Sequence, residues 1–539
     1  MEARSVINRI REKTRRMWVR REIDQTIRAR AKAVNEASPS LSDTRPVVVF
    51  NASTRLSGLS LNAAFSLLAS WGLKMEGARV IHFVCNAGMS RCVLGTNKDD
   101  PTQLPPCKEC VAQSRVITSA AETRWFDWKA DVFLEDAIGN LTVNELMEFE
   151  HEGLRLGELT LPTLRWVLRR HHLQDDGATR FLFRRFIASA WNVACNFMRL
   201  LDVENPRAVL LFNGQFFPEA VARVLAMERG IKVVAHEVGL QPYTGFFTTG
   251  EATAYPIDIP AAFSLSPSQS QRLDQYLAQR FQGNFSMAGI RFWPEMMKLD
   301  PQLVEKAQQF KQIVPVFSNV IFDTSQSHAN VVFEDMFAWL DRVLEIAKQH
   351  LQTLFVIRAH PDEARPGKQS RESVADWAQK NHLNELDNVW FVDANQYLSS
   401  YELINRAKFV MIYNSTIGLE ATLMGAAVLC AGKARFTQLE TVFFPKSLVD
   451  FNQMTEDFLT ADKIDIPEHF KENARRFLYY QLYKTSLPFE NLIEEDGIWR
   501  GYVRLKDFSP LVLRSDRSST MKTIVDGVLR DGNLLLDED

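Results

Sequence analysis

A chain of 539 residues is longer than one hydrophobic core can serve, so its length calls for two or more domains. Its hydrophobic share of 46% and charged share of 24% are those of an ordinary globular protein, and a formal net charge of -3 removes any general electrostatic case for nucleic acid as a partner. No apolar run approaches the roughly 20 residues that cross a bilayer and no signal-peptide core opens the chain, so the expected location is the cytoplasm.

Residues 1–40 read as a basic helical segment, with Arg4, Arg9, Arg11, Lys13, Arg15, Arg16, Arg20, Arg21, Arg28, Arg30 and Lys32 set against few acids. Two readings stand for it. The weightier is a solvated helix packed on the body of the protein. The other uses Trp18 and the stripe Val6, Ile10, Met17 and Ile23 to lay residues 1–35 on an anionic membrane surface, making the protein peripheral to the inner face of the cell membrane.

A Rossmann-like domain is expected over 41–290. "RPVVVFNAS", the helical "SLNAAFSLLASWGL" and "GARVIHFVC" form a βαβ unit, which requires a parallel sheet. A cysteine-rich insertion follows over 85–110, carrying Cys85, Cys92, Cys107 and Cys110. Thiols so spaced in a cytosolic protein read as ligands of a structural zinc or iron–sulfur cluster, and the competing, weightier reading is reduced thiols around a turn. A helical insertion is expected over 125–205. The sheet then resumes with "AVLLFNG" and "IKVVAHEVG".

Residues 291–500 repeat the alternation, from "IVPVFSNVIF" through "QTLFVIRAHP", "NVWFVD" and "KFVMIYNST" to "AAVLCAG", and predict a second doubly wound α/β domain; 501–539 read as a tail. Two such domains face one another across a cleft, at the carboxyl ends of their strands. Polar residues collect at four of those ends. Asn213 and Gln215 follow one strand, and His236, Glu237 and Gly239 another. Arg358, His360, Pro361 and Glu363 follow a third, and Asn414, Ser415 and Thr416 the fourth, ahead of a helix carrying Glu420. Ser415 or Thr416 is placed to cap that helix, and hydroxyls with free N–H groups there suit a phosphate. Taken together, the four ends supply a base on one side of the cleft and leaving-phosphate contacts on the other. Neither a G-x-G-x-x-G fingerprint after the first strand nor a P-loop or G-x-S-x-G elbow occurs.

From about 208 to 436, best in "SNVIFD" (ending at Asp323, a further cleft candidate), "VIRAHPDE" and "SSYELINRAKFVMIYNSTIGLEATLMGAAVLCAG", the chain resembles the capsule polysaccharide biosynthesis family. These are GT-B glycosyltransferases that include bacterial capsule Kdo transferases. The resemblance implies a base at Glu237 within Glu237-Val238-Gly239. It implies donor-phosphate binding by His360-Pro361 and Ser415-Thr416, with Arg358 and Asn414 beside them, and a nucleoside contact at Glu420. It further implies inverting transfer without a catalytic metal or other cofactor, from a nucleotide sugar to a glycan or lipid-linked acceptor. A CMP-linked ulosonic acid is favoured as donor, with UDP- and GDP-sugars as alternatives. A nucleotide-sugar epimerase of the same shape and a non-catalytic glycan-assembly module are the rival readings. Val238 departs from the family pattern, where a second acidic residue often stands.

Overall fold

The computed structural model describes residues 2–41, 43–52, 57–282 and 298–537, with side chains from Arg11 onward. The expected pair of Rossmann-like sheets is present. In the first domain, β1 (Asp43–Asn51), β2 (Ala78–Cys85), β3 (Glu122–Phe126), β4 (Ala208–Phe212) and β5 (Lys232–Val238) run parallel, and β6 (Thr244–Thr249) pairs antiparallel with β5. In the second, β7 (Gln312–Phe317), β8 (Thr353–Arg358), β9 (Val389–Val392), β10 (Val410–Ile412) and β11 (Val428–Cys430) are all parallel. A twelfth strand, β12 (Leu487–Pro488), belongs to the first sheet.

The sheet orders are β12-β6-β5-β4-β1-β2-β3 and β9-β8-β7-β10-β11. Counted within each domain, the five parallel strands of both sheets run 3-2-1-4-5, the doubly wound order. Its direction reverses beside the first strand and opens a crevice at the strands' carboxyl ends. The apolar runs follow from this architecture, because helices cover both faces of a parallel sheet and leave strands such as β8, "TLFVIR", buried at every position.

Three sequence expectations are corrected. The stretch "ETRWF" is the edge strand β3, not the start of the helical insertion. Its Glu122 and Arg124 hid the strand pattern, and in the fold they pair with Arg79 and Glu204. The helices expected further along are present, among them Leu156–Leu168 and Gly177–Glu204. The boundary expected at 290/291 lies outside the described residues.

The second correction concerns the C-terminus. Residues 487–500, expected in the second domain, and the expected tail both return to the first. Strand β12 covers the free edge of β6, with Leu487 opposite Gly245. Ile493–Glu495 and Tyr502–Leu505 pair into a small sheet with Leu59–Ser60. The helix Ser519–Leu529 buries Met521, Ile524, Val525 and Val528 in the core that also holds Leu68 and Trp71. An open strand edge and an apolar helix face both need cover, and the chain's last residues supply it.

The third concerns the N-terminal helix, α1 (Glu2–Ala37). Its second half packs on the first domain through Ile23, Ile27, Ala31 and Val34, spaced for one helical face. The described part of its first half leaves Met17 and Trp18 65% and 74% exposed. Ile23 is therefore core rather than part of a membrane-facing stripe, and Val6 and Ile10 lie outside the described side chains.

Candidate functional site

Between the domains lies a cavity of about 290 Å³. The first domain contributes Val238, Gly239, Leu240 and Tyr255; the ends of β7, β8 and β10 contribute Phe317 and Ser318, Arg358 to Pro361, and Ser415 and Thr416. This is the crevice that the strand order requires.

The geometry of each wall follows from local sequence. His360 caps the short 3-10 turn Pro361–Ala364, and its Nδ1 accepts the Asp362 N–H at 3.1 Å. A neutral ring accepting at Nδ1 carries its proton on Nε2, so Nε2–H is its donor. Burial holds the His360 pKa below the ordinary value, with a smaller opposing pull from Asp362. Arg358, 4% exposed at the end of β8, donates from Nη1 to the Ser400 hydroxyl, and burial lowers its pKa to about 10. Gly418 lets the helix after β10, Ile417–Leu423, approach the sheet, since a Cβ there would stand 2.2 Å from Ile412 Cδ1.

The expected helix cap is not made. Thr416 occupies the N-cap position without a side-chain cap bond, so its hydroxyl is not spent on the helix. The helix is also only 7 residues long, too short for its dipole to carry an anion site, and any such site here rests on side chains.

The sequence candidates divide. Arg358, His360, Pro361, Ser415, Thr416, Glu420 and Gly239 line the cavity. Asn414 does not: its Oδ1 accepts from Asn319 Nδ2 at 2.7 Å and Gln326 Nε2 at 3.2 Å, tying loops together behind the wall. Glu363 is buried away from it, accepting the Val374 N–H at 3.1 Å, and burial raises its carboxyl pKa to about 8. His236 is a core residue flanked by the rings of Phe212 and Phe247, because alternation on β5 turns it away from its neighbour Glu237. Asp323 is exposed and accepts from Ser325. Gln215 joins a cross-domain cluster, donating to Glu251 at 2.7 Å, where Glu251 also meets His328 Nε2 at 2.6 Å.

Glu237 is not itself a lining residue. Its Oε1 accepts from Asn62 Nδ2 and its Oε2 from Asn213 Nδ2, each at 3.0 Å, and the next residue, Val238, is the first on the cavity wall. Asn213 reaches it from a left-handed backbone, φ 61°, at the end of β4. Gly239 turns the chain so tightly that a Cβ would meet Thr244 Oγ1 at 2.3 Å.

Several other lining residues were not marked as candidates by the sequence, among them Arg280, Tyr401 and Arg435. Arg280 ends the helix Pro267–Phe281 and pairs with Glu420, Nη2 to Oε1 at 2.6 Å. Tyr401 donates to the other Glu420 oxygen at 2.5 Å. Arg435 lies over the Tyr255 ring, 3.9 Å from its centroid. Tyr401 lies in a stretch that carried the resemblance but had no role assigned, and Arg280 and Arg435 lie outside the quoted stretches; each is brought in by the tertiary fold.

The four cysteines gather around a separate, small cavity at the edge of the first domain.

Two facing doubly wound domains with a ligand-sized cavity between them define the GT-B architecture. Residues 293–462 match the family model described as capsule polysaccharide biosynthesis protein. The span contains the His360-Pro361 and Ser415-Thr416 motifs on which the resemblance rested; Glu237 lies outside it. A curated relative, protein FixF of Sinorhizobium fredii, is 28% identical over 234 residues, 42% of this chain and 48% of that one. The chain thus matches about half the length of that relative. Among solved structures, the Thermosulfurimonas dismutans KpsC β-Kdo 2,4-transferase is similar at 10% identity and a TM-score of 0.35, covering 52% of this chain and 81% of that one. UDP-GlcNAc 2-epimerase from Neisseria meningitidis is similar at 12% identity and a TM-score of 0.24, covering 81% and 99%.

Proposed function

We propose that the protein is a glycosyltransferase that moves a sugar from a nucleotide donor to a capsule or other surface-glycan acceptor, and that the cavity holds the donor. One observation carries the reading. Arg358, Arg435 and His360 line a single cavity whose one lining carboxylate among the described residues, Glu420, is already matched by Arg280, so the site is poised for an anion. Within it, His360 Nε2–H, the Ser415 and Thr416 hydroxyls and the two arginines would receive the phosphate and hold its growing charge as the glycosidic bond breaks. Phe317, Phe436 and Tyr255 offer apolar walls to the nucleoside or sugar. A CMP-linked ulosonic acid is the favoured donor, from the His-Pro and Ser-Thr motif pair.

Glu237, held by two asparagine amides at the cavity edge, would take the proton from the acceptor hydroxyl, and a single base attacking the anomeric carbon directly gives inversion. Catalysis in this reading needs no metal, the cationic side chains standing where one would act. The exposed Met17, Trp18 and basic residues of α1 would bring the enzyme to an anionic membrane that carries a lipid-linked acceptor.

Thermal-shift measurements with CMP, UDP and GDP test the donor site, since a ligand selective for the folded state raises the melting temperature. One nucleotide is expected to stabilise the protein well above the others. Sugar transfer unchanged in both Glu237→Ala and His360→Ala would sink the reading, and an epimerised sugar nucleotide formed without acceptor would replace it.

A further inference from the structure

The cysteines at the edge of the first domain have no part in that cavity, yet their surroundings are built with care. Strand β2 ends at Cys85, and a loop runs from there to the helix Cys107–Ile117. Two turns in the loop repeat one pattern, Cys-x-x-Gly. The Gly88 N–H donates to Cys85 Sγ and the Gly95 N–H to Cys92 Sγ, each at 3.2 Å. Both glycines are needed for close approach: a Cβ on Gly88 would meet the Phe126 ring at 2.3 Å, and one on Gly95 would meet Pro105 Cβ at 2.7 Å. After Pro105 and Pro106, Cys107 opens the helix and Cys110 follows one turn on.

All four cysteines line the same small cavity, whose other walls include Ala52, Met89, Leu94 and Val111, and none forms a disulfide. One cation stands beside them. Arg91, 6% exposed, feels Cys92 and Cys107, and it pins the loop by donating to the carbonyls of Ser90, Pro101 and Thr102 at 2.6 to 2.7 Å. Backbone N–H donors to sulfur and a neighbouring guanidinium favour the thiolate, the form in which cysteine binds metal, while burial and the other sulfurs oppose it, a cost that a bound cation would relieve.

Another group has ligand atoms closer together. One atom each from His171, His172 and Asp335 lie within 4.8 Å of one another. There, however, the carboxylates of Asp335 and Glu372 already face two cations: His172, which bridges them, and the nearby Arg165. An added ion would find no charge to neutralise. At the cysteines, by contrast, the cavity wall among the described residues is sulfur and apolar carbon, with no carboxylate or cation filling it.

We propose that Cys85, Cys92, Cys107 and Cys110 ligate a structural metal centre. With all four positions filled by protein thiolates it has no open site for chemistry. No three of the sulfurs fall within 4.8 Å of one another among the described residues. A single tetrahedral ion with metal–sulfur bonds of about 2.3 Å would draw them to roughly 3.8 Å apart. The cavity they share has a volume of only about 20 Å³, room for one ion and not for an iron–sulfur cluster, so a single ion is the better fit. The centre fixes the loop whose Asp99 pairs with Arg371 of the second domain, and so braces one side of the domain interface.

The test is metal and acid-labile sulfide analysis of the full chain purified without oxygen or added metal, then again after incubation with zinc or with iron and sulfide. About one zinc per chain, without visible colour, is the expected result, and iron with matching sulfide would keep the four ligands but overturn the single ion. Cys92→Ser and Cys107→Ser should each lose most of the metal, and Cys195→Ser, outside the cavity, should retain it. Should the variants fail to fold, cobalt added to wild-type protein gives the same answer through its thiolate charge-transfer absorption. Less than about a tenth of an equivalent of any metal before and after incubation, or no cobalt–thiolate band, overturns the proposal.

Discussion

Arg280 and Glu420, separated by 140 positions in the chain, form an ion pair at 2.6 Å with side chains only 13% and 9% exposed. The pair ties the helix Pro267–Phe281 to the helix that follows Ser415 and Thr416. Burial works against the Arg280 charge, and Glu420 more than restores it. Glu420, expected to meet the nucleoside, is thus already committed on both oxygens, to Arg280 and Tyr401.

Removing one member of such a pair strands a charge. Glu420→Ala should lower stability by about 3–5 kcal/mol, read from denaturant midpoints, whereas Arg280→Met combined with Glu420→Leu should recover more than half of that loss. Additive losses in the double variant would show that the pair does not act as a unit.

Nucleotide affinity should follow the cavity wall rather than the motif boundaries. His360→Ala and Arg435→Ala should each weaken binding by about 10- to 100-fold, the worth of a charge-assisted hydrogen bond. Glu363→Gln lies within the same "HPDE" motif but faces away, and should stay within about twofold in calorimetric titration.

That contrast measures what the sequence could convey. The strand ends were legible because buried parallel strands are continuous apolar runs, and a polar residue at such an end is visible without coordinates. Side-chain direction was not. Asn414 and Ser415 are neighbours that part at the end of β10, and His236 and Glu237 part by strand alternation. Arg280 and Arg435 were invisible for another reason, since nothing local marks a residue whose partner is supplied by distant chain. Strand β3 was missed because an edge strand with paired charges lacks the apolar run that betrays a central one.

Gly418→Ala should push the helix Ile417–Leu423 from the sheet, costing about 1–3 kcal/mol and weakening nucleotide binding through Ser415 and Thr416. Ile412→Val removes the Cδ1 that the new methyl would strike at 2.2 Å. The double variant should therefore bind nucleotide better than Gly418→Ala alone in the same titration.

Stability should peak near neutral pH and fall on both sides. Burial depresses the His82 pKa to about 3 and the His171 pKa to about 4. Below pH ~6.5 the unfolded chain takes up these protons first, and each histidine costs about 1.4 kcal/mol per pH unit until its own folded pKa is reached. His172 has the opposite sign. Hydrogen bonds to Asp335 and then Glu372 raise it to about 10, so its contribution is complete below pH ~6.5 and is lost as pH rises toward 10. Glu363, raised to about 8 by burial, also favours the acid side, losing stability from pH ~4.5 to 8. Thermal midpoints across pH 4–10 should show both limbs, and His172→Gln should flatten the alkaline one.

Trp18→Ala, or reversal of Arg15, Arg16, Arg20 and Arg21 to glutamate, should reduce cosedimentation with anionic vesicles while leaving nucleotide affinity unchanged. Equal sedimentation by all variants would remove the membrane role of α1.

The return of the chain to its first domain bears on how the protein is made. Strand β12 and the helix Ser519–Leu529 are made after the whole second domain, yet they complete the sheet and core begun by residues 43–85. The first domain is therefore finished after the second. Until these segments have been made, the edge of β6 and part of the apolar core stand open, and a chain stopped near residue 480 would carry a whole second domain beside an aggregation-prone first.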